Sequence, residues 1–465
     1  MTSLALGAEA SQAPMTGLAA RNRRFVPPAH GFAPYLEAQR KLDANVPNWV
    51  RALRTRGMQE FQKLGFPTTR VEDWKYTDTS VIAREVFTLP EPLAADAAIR
   101  EEQTARMLPG TAVLWFVHGR ALEATPSGQR LPSGSRFLSL RQAWVQEERP
   151  VRDALGTCAT EHDASFTALN LAFLEDGAFL WIPPGTELAT PVQLLFAGGG
   201  VTRPTLVSPR NVVVVGERAN VTLVEWWYGE SAVPYLTNAV TEIVLAPGAR
   251  IDHIRITSEQ GAMLHMARTA VRQSAGSSYT SRVLTFGGCW ARVETETRLA
   301  EEGSQAVFDG LYIAANTSLV DHHTTIDHVA RNTTSRELYK GILDGASRGV
   351  FNGKVYVRPG AFKSDAQQMN KNLLLSDDAE IDTKPQLEIF ADDVKCSHGA
   401  TIGRLDEDAL FYLRARGIGA DEARRLLIFA FANEIVERLP IPEWQPRIRE
   451  LVRAHVAGSP EEDAS

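Results

Sequence analysis

From about Phe166 to Leu405 the chain consists of short runs of Val, Ile, Thr, Leu and Phe separated by turn residues. Val212–Val215 leads into Gly216 and Ile243–Leu245 into Pro247-Gly248. Further turns are expected at Pro184-Gly185, Ala275-Gly276, Glu302-Gly303 and Pro359-Gly360. Those at Gly185, Gly216, Gly248, Gly276 and Gly303 recur every 27 to 32 residues, in the range of repeat architectures. No helical period survives here. Asp252–Ile256 alternates polar with apolar, which predicts one face turned inward and the other toward water. So many strands without crossover helices must close into a sandwich, a barrel or a parallel β-helix. The period favours the β-helix, in which each coil buries its neighbour's apolar face.

The pattern differs at both ends. Residues 1–30 are punctuated by Ala, Gly and Pro and read as a flexible lead. Between Pro34 and Leu64, apolar positions at three- and four-residue steps (Leu36, Leu42, Val46, Trp49, Leu53, Phe61) predict helix, broken at Pro47. Ala112–Val117 predicts a strand entering a turn at His118-Gly119. After Leu405 the helical period returns. Asp406 is an N-cap candidate, Glu407 and Asp408 suit the positive end of a helix, and Gly417 suits its end. Two more helices are expected, about Asp421–Leu439 and Glu443–Val456, with Pro440 and Pro442 between them. The expected organisation is therefore a lead (1–30), a mixed helix-leaning domain (31–165), a β-helix core (166–405), a helical domain (406–457) and a frayed tail (458–465).

Composition narrows the chemistry. The 465 residues are 44% apolar and 23% charged, with a net charge of −7. This suits a folded protein and argues against binding nucleic acid by phosphate neutralisation. Three widely separated cysteines, Cys158, Cys289 and Cys396, make neither a disulfide framework nor a complete metal cage. Met1–Ala20 lacks the pattern of a signal peptide, and the densest apolar stretch, Leu426–Ala432, is too short to span a bilayer. A soluble cytoplasmic protein is expected.

Gly349 and Gly353-Lys354 resemble a P-loop, but the spacing is one residue short and Val355 replaces the magnesium-binding Ser or Thr. No nucleotide site is expected. Cys396 and His398 stand two apart, so in a strand they share a face; thiolate and imidazole are suitable ligands for iron or zinc. Two ligands are half of a tetrahedral site, so another segment or chain must complete it. On residue type alone, a packed cysteine beside a hydrogen-bonded histidine is the commoner explanation of such a pair. In Asp321–His328, His322 and His328 share parity while His323 faces the other way with Asp321 and Asp327, which favours structural hydrogen bonding over chelation. Cys158 and Cys289 read as packing residues. Leu427, Phe429, Phe431, Ala432 and Val436 lie on a helix apolar nearly all round, to be covered by neighbouring helices or by a partner.

Several longer motifs resemble a known family. Gln367–Leu375, Lys384–Ile389, Ala391–Thr401 and Leu410–Ile418, with Arg70–Thr77 upstream, are similar to the SufB/SufD family of iron–sulfur cluster assembly scaffolds. Gly399, where SufB would carry Glu, and the cysteine-free turn Ser376–Ala379 point to the SufD branch. The resemblance implies a mainly β fold, a right-handed parallel β-helix core between an N-terminal helix-leaning domain and a C-terminal helical domain. It implies a non-catalytic subunit that pairs with SufB and binds the SufC ATPase through its C-terminal helices, with homodimers in isolation. It further implies His398, with Cys396, as an interfacial ligand of iron or of a transient cluster shared with SufB. Nucleotide would belong to SufC.

Overall fold

The computed structural model describes residues 24–42, 46–91, 104, 106–108, 110–123, 126–160 and 164–456. The expected tail and most of the expected lead lie outside these residues. The N-terminal part contains β1 (Phe25–Val26), α1 (Ala33–Leu42), α2 (Asn48–Leu64), β2 (Phe66–Pro67) and α3 (Ser80–Ala83). It continues with β3 (Ala112–Val117), β4 (Arg120–Ala121), β5 (Ser127–Gly128), β6 (Arg136–Ser139), α4 (Leu140–Gln146), α5 (Glu148–Ala154) and α6 (Ser165–Ala172). His118 and Gly119 link β3 to β4 with positive φ values of 49° and 75°, the conformation of a two-residue hairpin turn.

A parallel β-solenoid of about eight turns follows, as the turn period predicted. Its strands are β7 (Ala178–Ile182), β8 (Val192–Gly199), β9 (Thr205–Val207), β10 (Arg210–Val215), β11 (Asn220–Leu245), β12 (Arg250–Gln273), β13 (Ser278–Phe286) and β14 (Trp290–Leu299). They continue as β15 (Gln305–Ala314), β16 (Leu319–His328), β17 (Thr334–Leu343), β18 (Arg348–Val357), β19 (Asp365–Leu374), β20 (Glu380–Ile389) and β21 (Lys395–Gly403). One ladder runs through β3, β8, the first halves of β11 and β12, then β13, β15, β17, β19 and β21. The other runs through β7, β10, the second halves of β11 and β12, then β14, β16, β18 and β20. The sheet therefore begins upstream of residue 166, because β3 and β6 pair with β8 and β7.

Side chains alternate between the lumen and the outer surface. The lumen is close-packed: the register sets Gly310 beside Tyr339 and Tyr312 beside Gly341. A Cβ on Gly310 would lie 2.1 Å from the Tyr339 ring, so glycine is what admits the tyrosine. Outside, each ladder is covered by one end of the chain. Leu264, Met266 and Trp290 of the second ladder pack on Phe61, Phe66 and Phe166 from the N-terminal part. The C-terminal helices α7 (Glu407–Ala415), α8 (Ala420–Val436) and α9 (Gln445–Val456) follow β21. Ile428, Ala432, Ile435 and Val436 of α8 pack with Ile313, Leu338, Ile342 and Leu373 on the outside of the first ladder. Fully burying side chains of this size contributes about 1.5–3 kcal/mol each. Polar anchors fix the dock: Lys340 Nζ donates to the Phe431 carbonyl (2.7 Å), Arg438 pairs with Asp309 (2.7 Å), and Arg424 donates to the Leu375 carbonyl (2.8 Å).

This covering overturns one expectation. Asp252–Ile256 does alternate, but its Ile residues are on the outer face: Ile254 and Ile256 pack with Trp444 beneath the C-terminal helices. The polar His253 and Arg255 point into the lumen instead, where both meet Glu225, Arg255 at 2.6 Å and His253 at 3.3 Å. Burial works against the charge of Glu225, yet Arg255 and His253 hold it down to about 2. A buried carboxylate keeps its charge only with such partners.

Candidate functional site

The solenoid ends at β20 and β21, with no described strand paired to their outer edges. No residue of either strand is buried. Burial thus stops one coil short of the end, and lumen positions in the last coil open outward. Two of these positions carry the candidate ligands. The first ladder stacks Ala306, Ser335, Ala366 and Cys396 in one row and Phe308, Glu337, Gln368 and His398 in the next. Cys396 and His398 consequently share the lumen face, as their spacing predicted; Cys396 is half-buried and His398 exposed. Burial, with Asp365 nearby, pushes the Cys396 thiol up, so binding a metal there must displace a proton. Among the described residues no group of three or more His, Cys, Asp or Glu is placed to hold a metal ion. The pair remains an incomplete ligand set.

In the last two coils Phe362, Met369, Ile389, Phe390 and Ile402 are exposed, half of the large apolar side chains exposed among the described residues. An open sheet edge with an apolar rim is a surface built for pairing. Behind the mouth the lumen is polar and hydrogen-bonded. Gln368 Nε2 donates to Glu337 Oε2 (2.6 Å), Asn372 Nδ2 to Asn370 Oδ1 (2.5 Å), and Thr383 Oγ1 to Asn370 Oδ1 (2.8 Å). Burial pushes Glu337 up to about 7. None of these residues was among the candidates read from the sequence. Their signal was the alternation Gln368, Asn370, Asn372, three amides on one face of a strand.

The other candidates are structural. His328 lies between the Thr333 and Ser335 hydroxyls (2.8 and 2.9 Å), and His322 stacks on Tyr312 in the lumen. On the outer face His323 meets Asp321 (3.0 Å), which also takes Arg292 (2.6 Å) and a hydrogen bond from Thr77 (2.5 Å). Asp73 pairs with Lys354 and Glu72 with Lys384. The segment Arg70–Thr77 is thus a strap across the second ladder, from β14 to β20. Asp327 pairs with Arg358 (2.7 Å). Lys354, the residue of the apparent P-loop, stands within strand β18. Cys158 is half-buried and pushed up to about 11 by burial, in keeping with packing. Cys289 is not a packing residue: it is exposed, beside the turn glycines Gly287 and Gly288, both at positive φ.

Residues 197–431 match the SufBD core domain of the SUF iron–sulfur cluster assembly system, and residues 32–194 match the SufBD N-terminal region. This chain belongs to the SufBD family. An iron–sulfur cluster assembly SufBD family protein of Synechocystis is 36% identical over 400 residues, covering 84% of this chain and 87% of the relative. The iron–sulfur cluster assembly protein SufD of Escherichia coli is 30% identical over 385 residues (82% and 87%). The protein of that name from Bacillus subtilis is 24% identical over 431 residues (88% and 94%). Relatives named SufD agree with the branch inferred from Gly399 and the turn Ser376–Ala379.

In this SufBD chain the expected partner-binding helix is largely turned inward. Ala432 and Val436 are fully buried in its own core, so they offer nothing to a partner. Phe429 and Phe431 are half-buried against the same core, under Arg453 and Lys340 respectively, and Leu427 is half-buried. The exposed apolar residues lie elsewhere: Phe411 (73%) and Tyr412 (55%) on α7, with Leu426 (44%) on α8. No residue of α7 is buried. No described helix is long and apolar enough to cross a membrane.

Proposed function

We propose that this chain is a non-catalytic scaffold subunit of cytoplasmic iron–sulfur cluster assembly, pairing with SufB through the open end of its solenoid. The observation that carries this reading is the uncapped last coil, with Cys396 and His398 on its lumen face inside an apolar rim. Iron and sulfide are the substrates. Cys396 and His398 supply half of a ligand set, and a partner docked on the same edge supplies the rest. The exposed face of α7, Phe411 and Tyr412 with Leu426, is the surface for the SufC ATPase, and ATP hydrolysis belongs to SufC. The anchors from α8, and from Arg438 just after it, to Lys340, Leu375 and Asp309 support a mechanical link. Force on the C-terminal helices would pass to β15, β17 and the end of β19, next to β21. SufC closure thereby shifts the docked end and opens Cys396 and His398 to iron and sulfide.

The test is capture of the tagged chain from its host, with mass spectrometry and an iron and sulfide assay. Recovery of SufB and SufC, with iron and sulfide that fall in His398→Ala, is the expected result. Unchanged iron and sulfide in that variant would sink the ligand role, and recovery of neither partner would sink the scaffold. Cys396 alkylation in the complex should respond to ATP, and that response should vanish with an ATPase-dead SufC.

A further inference from the structure

Gln368 is only 2% exposed, in the lumen one coil behind His398. Two contacts fix its amide. Its Nε2 donates to Glu337 Oε2 at 2.6 Å, and the same nitrogen fills the space left by Gly353, where a Cβ would lie 2.1 Å from it. At pH 8, above the value of about 7 to which burial raises Glu337, its carboxyl is ionised and a flipped amide would set its carbonyl against that charge, so Nε2 stays where it is and the orientation of Oε1 follows. That oxygen is buried and has no hydrogen-bond partner. Leaving such an acceptor unpaired in the interior is costly, so it needs a donor. The ladder sets His398 directly beside Gln368, with adjacent strands about 4.8 Å apart. The His398 ring is exposed and turns about its side-chain bonds without any backbone movement.

We infer that Gln368 is a positioning residue for His398: its Oε1 accepts a hydrogen bond from one ring N–H, which fixes the tautomer and leaves the lone pair of the other ring nitrogen facing out of the mouth. A histidine that binds metal through one nitrogen needs the other held in this way. The inference rests on the ligand role proposed for His398. It adds a residue that never touches the metal, held in turn by Glu337 and Gly353. These three positions lie on three different strands of both ladders, so the device exists only when the coils stack in register.

The test separates the two ideas. The free chain, labelled with 15N-histidine, is examined by long-range 1H–15N NMR at pH 8, with the His398 signals identified by their loss in His398→Gln. The wild type is expected to show a single fixed tautomer at His398. Gln368→Met, similar in size but without the acceptor, should give the mixed tautomers of a free imidazole while the other nine histidines keep their shifts. Gln368→Glu combined with Glu337→Gln, which exchanges donor and acceptor between the two positions and keeps an acceptor oxygen beside His398, should restore the single tautomer. Mixed tautomers in the wild type, as expected if water satisfies Oε1, would overturn the inference even if Gln368→Met fails to fold. So would an unchanged His398 signal in a folded Gln368→Met. Iron retention by the SufB complex is the second readout, and Gln368→Met should weaken it about tenfold. A His398→Ala complex with full iron and sulfide overturns the ligand role, whereas the tautomer result in the free chain decides the hydrogen bond on its own.

Discussion

Replacing Glu337 by Gln should make the protein more stable at high pH and leave it unchanged at low pH. Glu337 is 5% exposed in the lumen, and burial raises it from the ordinary 4.5 to about 7. The folded state therefore binds this proton more tightly than the unfolded chain does. Its stabilising effect is complete below about pH 4.5, falls as the pH rises, and is gone above about pH 7. At about 1.4 kcal/mol for each pH unit, the wild type loses about 3 kcal/mol across that window. A glutamine side chain there would be neutral throughout and would still accept the hydrogen bond from Gln368. For 465 residues the unfolding entropy is about 1 kcal/mol/K, from about 2.1 cal/mol/K per residue, so the difference amounts to about 3 °C in Tm. The assay is parallel thermal melts of both proteins from pH 4.5 to 8.5. Asp176, raised to about 6 by burial, and the depressed Glu225 titrate in both proteins and cancel in the comparison. A Tm difference that stays constant across the range would refute the reasoning, because Glu337 would then be losing its proton as readily folded as unfolded.

Other outcomes follow from the same geometry. Phe411→Ser with Tyr412→Ser should abolish SufC capture and leave Tm within about 1 °C, since both side chains are already in water; Val436→Asp should instead melt the C-terminal helices, seen as lost helical circular dichroism. Ile402→Lys with Phe390→Lys should prevent SufB pairing in size-exclusion chromatography without lowering Tm. Gly310→Ala should destabilise by about 1–3 kcal/mol through its clash with Tyr339, measured by denaturant melts. Iodoacetamide at pH 8 followed by peptide mass spectrometry should modify exposed Cys289 first and Cys158, raised to about 11, last; rapid alkylation of Cys158 would contradict its burial.

Features that depend on neighbours along the chain are legible in the sequence itself. Asp406 caps α7 by accepting from the Asp408 and Ala409 amides, and Gly417 takes a φ of 90° just past its end. The Pro-Gly turns fall between strands, and the period of 27 to 32 residues is the length of a coil. The shared face of Cys396 and His398 follows from strand parity alone. Each of these is decided within a few residues by steric limits on φ and ψ, by hydrogen bonds between adjacent groups, or by the two-residue repeat of a strand.

What the tertiary structure decided was which side of each pattern meets which surface. Asp252–Ile256 alternates whichever way it faces; Trp444, nearly two hundred residues later, makes the isoleucine side the outside and leaves His253 and Arg255 to Glu225. Helix α8 is apolar nearly all round, and packing on the outer surface of the first ladder and on α9 selects Ala432 and Val436 for burial, which leaves Leu426 and the α7 residues Phe411 and Tyr412 as the exposed apolar ones. Cys158 and Cys289 look alike as isolated cysteines, yet one is half-buried and the other stands at an open turn. Glu337 and Gln368 are 31 residues apart and meet because one coil separates them, and the next coil in that row brings His398. A periodic sequence sets the length of a coil, but long-range packing sets the register and decides which face is dry, and the site at the mouth depends on both.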